Sequence, residues 1–119
     1  MPHAVEVIGR HPRLLWPWLS FWVPTYRRGG LAQEDVSLVL RRTARHTDPH
    51  DRQEGEPEDL DERQRLLLAA VDELCADRMI SDATWRALSA FYSDRQLSVL
   101  CFVVGNRATL AMVANTFER

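Results

Sequence analysis

At 119 residues and 45% hydrophobic content, the chain is long enough for one domain with one core and too apolar to stay disordered. All 15 basic residues are arginines and the net charge is −2. A Schiff-base lysine and a P-loop lysine are therefore excluded, and nothing global draws nucleic acid or an anionic membrane to the chain.

In chain order, Met1 to Arg10 is expected to form a short helix or arm, broken at His11-Pro12. Pro12 to about Thr25 reads as a helix crowded with aromatics. Leu15, Trp18, Leu19, Trp22 and Tyr26 recur at helical spacing and share a face. Pro17 falls early, where proline is tolerated, and Pro24 is expected to mark the end. Trp16 and Phe21 fall off the shared face, which points to exposure or to burial against another chain. Arg27-Arg28-Gly29-Gly30 reads as a turn. Leu31 to Arg45 follows as a helix, with Glu34 and Asp35 in its first turn and Arg41, Arg42 and Arg45 near its end, as the helix dipole favours.

Residues 46–58, HTDPHDRQEGEPE, hold no large apolar side chain and read as a solvated acidic loop. His46, Asp48, His50 and Asp51 are types that ligate metals or act as a general base with an orienting acid. A loop without a rigid frame offers no pre-set coordination geometry, so no metal and no cofactor are expected. Asp59 is expected to cap the next helix, Leu60 to about Met79, with Glu62 completing a capping box and Leu67, Ala70, Val71 and Leu74 forming its apolar side. Ser81 or Asp82 opens a further helix, in which Trp85, Leu88 and Tyr92 face one way.

Ser93 to Glu118 is the stretch around which the rest is organised. Ser93 and Gln96 make a capping box, and Tyr92 and Leu97 a hydrophobic staple. Leu97, Leu100, Cys101, Val104, Ala108 and Ala111 mark one face, while Val99, Phe102 and Val103 make the start apolar nearly all round. Such a helix is buried in a core or a subunit interface. Its uncharged run, Leu97 to Val104, falls short of the ~20 residues that cross a bilayer, so no membrane span is expected. Cys75 and Cys101 read as small buried apolar residues in a reduced, cytoplasmic setting. With no strand pattern and no repeat, the expected fold is all-α: a single domain over residues 1–119 built as a bundle of five to six helices.

Three segments carry a family resemblance: Leu66–Leu74, Ile80–Leu88 with its Ile-Ser-Asp-Ala-Thr-Trp sequence, and Val104-Gly105-Asn106. Together with His11-Pro12-Arg13-Leu14 and Leu31 to Ala44, they resemble carboxymuconolactone decarboxylase-like proteins, relatives of the AhpD-type alkylhydroperoxidases. The resemblance implies an AhpD-like helical bundle that self-associates. Redox members carry a Cys-x-x-Cys pair with a glutamate and a histidine as a thiol and proton relay, which needs an exposed low-pKa thiolate. Laid on that pattern, this chain places Ser37, Pro49, Arg52 and Glu56 at the relay positions. The resemblance therefore implies a shortened, non-redox member that lacks the motif helix.

Two functions are weighed. In the first, the protein binds a small hydrophobic carbonyl or lactone compound against Trp16, Trp18, Phe21, Trp22 and Tyr26, with acid–base chemistry of the isomerase or decarboxylase type from His11, His46 or His50. In the second, it is an inactive, homo-oligomeric interaction protein. Nucleic-acid binding finds no basic stripe to support it.

Overall fold

The computed structural model describes residues 2–47 and 59–117. Every regular element among them is an α-helix: α1 (Pro2–Gly9), α2 (Pro12–Arg28), α3 (Gln33–Thr47), α4 (Glu62–Asp77), α5 (Asp82–Leu88) and α6 (Asp94–Phe117). An all-α bundle of six helices is the outcome expected from the patterning.

Local chemistry sets most boundaries. At α6 the capping box forms as read: the Gln96 backbone N–H donates to Ser93 Oγ at 3.2 Å, and the Ser93 N–H donates to Gln96 Oε1 at 2.8 Å. At α4 the box sits two residues later than expected. Asp61, not Asp59, is the cap, and it exchanges bonds with Gln64 at 2.8 and 3.1 Å. Ser81 caps α5, and Glu73 reaches across from α4 to accept from the Ser81 N–H at 2.6 Å. That tie fixes the α4–α5 corner and, led by the Thr84 hydroxyl, holds the Glu73 carboxyl below its ordinary pKa.

Two helices run past their expected ends. Pro24 does not stop α2, which continues to Arg28. Pro17 and Pro24 leave the carbonyls of Arg13 and Ser20 without their helical donors, but all four residues are exposed, which makes that loss small. Helix α3 extends to Thr47, so His46 is a helical residue and not part of a loop. The expected acidic loop, with His50 and the supposed loss of a motif helix, lies outside the described residues from 48 to 58.

The core gathers where α3, α4 and α6 meet. Val39, Leu67, Val71, Leu88, Leu97, Leu100 and Val103 are fully buried there. Each contributes roughly 1.5–3 kcal/mol by leaving water. A smaller cluster of Ile8, Leu110 and Ala114 joins α1 to the far half of α6, with Leu15 and Trp18 of α2 packed against it. The buried stripe of α6 differs from the expected one: Val103, Asn106 and Ala114 are inside, while Cys101 is exposed and Phe102 half exposed. The helix is apolar nearly all round, so its sequence does not single out one face; packing against α3 and α4 chooses it. At 24 residues, α6 is by length and composition long and apolar enough to cross a bilayer, which the short run read from sequence was not. In this bundle it is the central core helix. Trp85, expected to face the same way as Leu88 and Tyr92, is exposed while those two are buried.

One buried polar cluster ties the core together. Asp35, in the first turn of α3, is 2% exposed. It accepts from Arg63 of α4 and, at 3.0 Å, from the Tyr92 hydroxyl; Arg63 donates to that hydroxyl as well. Burial, then the bond to Asp35, pushes the Tyr92 phenol up to about 12. Asp35 is therefore a buried ion-pair partner, not merely a dipole-complementing surface acid.

Candidate ligand-binding cleft

Helix α2 is held to α6 at its C-terminal end. Gly29 sits so close to α6 that a Cβ there would lie 2.7 Å from Val99 Cγ1 and 2.5 Å from the Thr25 carbonyl oxygen. Gly30 follows at φ +84°, a left-handed conformation that favours glycine. Arg95 donates to the Arg28 carbonyl and Gln96 to the Gly30 carbonyl, at 2.7 and 2.8 Å. At its other end α2 packs on α1, which packs on α6. Between these anchors, α2 reaches α6 through long side chains.

The gap is a cleft of ≈ 530 Å³ between α2, the start of α3 and the second half of α6. Trp18, Trp22 and Tyr26 line one wall, Leu31, Val36 and Leu40 the second, and Asn106, Arg107 and Leu110 the third. The size falls in the range of sites that enclose small molecules, and the lining is mainly aliphatic and aromatic with a few polar atoms, as such sites are. The spacing of Trp18, Trp22 and Tyr26, one helical turn apart each time, puts all three on one side of α2.

The polar atoms form a chain. Trp18 Nε1 donates to Asn106 Oδ1 at 3.0 Å, and Asn106 Nδ2 donates to the Tyr26 hydroxyl oxygen at 3.0 Å. Asn106 is 3% exposed, so both bonds are made largely out of water, where they matter most. Burial raises the Tyr26 pKa above its ordinary value, with the Asn106 bond and the charge of Arg107 opposing it. The phenol is thus protonated at neutral pH.

Of the aromatic residues expected at a pocket wall, Trp18, Trp22 and Tyr26 line the cleft and Trp16 and Phe21 do not. Trp16 lies on the opposite side of α2 and is 65% exposed. Phe21 turns outward to meet the ring of Phe102 edge-on at 5.3 Å, beside a shallower groove at the Gly29 contact. The histidines are not gathered at the cleft. His11 is exposed at the α1–α2 junction, His46 is on α3, and His50 lies outside the described residues. His46 Nε2 is 2.6 Å from Asp72 Oδ1, and Arg42 grips the same carboxylate through two bonds of 2.7 Å. The Arg42 bonds, ahead of the smaller His46 contribution and against burial, hold the Asp72 carboxyl below its usual value. Arg42, expected near the end of this helix as the dipole favours, is therefore also part of an α3–α4 clasp.

From sequence, Asn106 stands only within the Val104-Gly105-Asn106 segment and has no place at a site. Its signal is one amide within an otherwise apolar stripe, at helical spacing from Val103 and Leu110. Cys75 and Cys101 both sit inside helices, and desolvation pushes both thiols up, away from the thiolate form. Among the described residues, no three His, Cys, Asp or Glu side chains gather to hold a metal ion. No protein family, curated protein or solved structure matches the chain.

Proposed function

We propose that the protein binds a small, largely apolar molecule in the cleft between α2, α3 and α6. One observation carries this reading: an apolar space of ≈ 530 Å³ kept open by aromatic side chains that span it rather than fill it. Apolar surface left uncovered on this scale is normally covered by something, and a concave surface with few polar atoms suits a small ligand. The reading keeps the binding half of the first expectation and its non-redox character, since the raised thiols lack the property a thiol relay needs. It assigns no reaction, because no histidine is among the residues that line the cleft.

Tetralin, a ten-carbon bicyclic hydrocarbon, tests it. Two of the four tryptophans, Trp18 and Trp22, line the cleft, so binding is expected to change the intrinsic fluorescence saturably. Leu110→Trp, which puts a large side chain into the cleft, is expected to weaken binding at least tenfold while far-UV circular dichroism stays helical. A wild-type protein that shows no saturable change by fluorescence and no heat by calorimetry would overturn the proposal.

A further inference from the structure

The polar chain at the cleft has a direction, and the direction specifies the ligand. An indole N–H can only donate. Trp18 Nε1, at 3.0 Å, therefore fixes which end of the Asn106 amide faces it: the oxygen. The amide nitrogen must then face Tyr26, and an NH₂ group can only donate. The Tyr26 oxygen, 3.0 Å away, receives that hydrogen. Its own proton is left to point elsewhere, and among the described residues nothing accepts it. The order Trp18 to Asn106 to Tyr26 follows from donor chemistry alone.

We infer that Tyr26 presents its O–H to the cleft as a donor, so that the preferred ligand is an apolar molecule carrying an oxygen acceptor such as a ketone or ester carbonyl, and not a pure hydrocarbon or a donor-only group. The inference rests on the cleft-binding reading and adds to it the polarity of the ligand. A hydrogen-bonded chain polarises each of its members, which strengthens the last donor. Because the phenol has no second acceptor among the described residues, a ligand carbonyl gains this bond without breaking one inside the protein. Trp18 and Asn106 act through Tyr26 and are positioning residues.

The experiment compares tetralin with 1-tetralone, which has nearly the same shape and adds one carbonyl. In the wild-type protein the ketone is expected to bind about 3- to 10-fold more tightly, the usual size of one net neutral hydrogen bond. Tyr26→Phe, read as the ratio of the two affinities within that variant, is expected to abolish or invert the ketone preference, since a carbonyl buried without a donor is penalised. Asn106→Asp tests the direction itself. A carboxylate accepts from both Trp18 and Tyr26, so it turns the Tyr26 proton inward and is expected to remove the ketone preference although the phenol remains. Equal wild-type affinities, or a preference that survives Tyr26→Phe, would overturn this inference and leave cleft binding standing. Failure of both compounds to bind the wild type would overturn the cleft reading and this inference with it. The wild-type comparison needs no variant to fold.

Discussion

Helix α6 is packed by different means along its two halves. Its first half meets α3 and α4 through Leu97, Leu100 and Val103, which interlock with Val39, Leu67, Val71 and Leu88 and leave no accessible surface. Its second half meets α2 through Trp18, Tyr26 and Asn106, whose rings and amide bridge a gap that stays open, with Trp22 also on its wall. Branched aliphatic side chains fill the holes opposite them and draw two backbones together. Flat aromatic side chains tied at their polar tips set a distance instead, and the distance leaves room for a ligand.

The contrast is most directly broken at two leucines of the same helix. Leu100→Ala removes a fully enclosed side chain and is expected to lower stability by about 3–4 kcal/mol, because the surroundings cannot collapse onto the hole. Leu110 is buried against Ile8 and Ala114 on one side and faces the cleft on the other. Leu110→Ala should cost only about 2 kcal/mol, the low end for such a truncation, because the hole it leaves opens into the cleft. Urea denaturation of the two variants checks this. Equal losses would mean that both halves are packed alike.

A somewhat smaller effect is expected at the polar link of the tight half. Asp35→Ala leaves Arg63 and Tyr92 without their shared acceptor and should cost about 3 kcal/mol, less to the extent that Arg63 reaches water. The same cluster sets an alkaline limit. A phenol whose folded pKa is raised to about 12 from 10.0 contributes stability that is complete below pH 10 and is lost as pH rises through about 12. Tyr92→Phe should therefore flatten the stability curve in that window. An unchanged alkaline limb in thermal melts across pH 9–12 would place the ionising group elsewhere.

The smallest effect belongs to the α3–α4 clasp. Asp72 is about a third exposed, so Asp72→Asn should cost no more than about 1 kcal/mol at neutral pH. Its folded pKa is depressed, so its contribution is present above the ordinary value of 3.8 and is lost as pH falls through the lower folded value. The variant should therefore show a shallower loss of stability between about pH 5 and pH 2 than the wild type. A parallel acid limb would show that other carboxylates govern it.

Much of this was legible because it is local. The Ser93–Gln96 and Ser81 caps, and the i, i+4, i+8 series Trp18, Trp22, Tyr26, involve residues a turn or two apart, and the chain need only coil for them to meet. Where two local solutions were equally good, the sequence left the choice open: Asp59 with Glu62 and Asp61 with Gln64 both satisfy the capping pattern, and Asp61 is the one used. Pro24 signals a stop that exposure of the freed carbonyl overrides.

By itself, then, the sequence determined that the chain is helical and where most helices begin, because backbone hydrogen bonding and side-chain period are set within a few residues. Tertiary structure decided which side of α6 is buried, that Asp35 and Asn106 go inside, and that α2 stands off far enough to leave a cleft. Those choices join residues 57 to 88 positions apart. No pattern within one helix contains the partner that stabilises them.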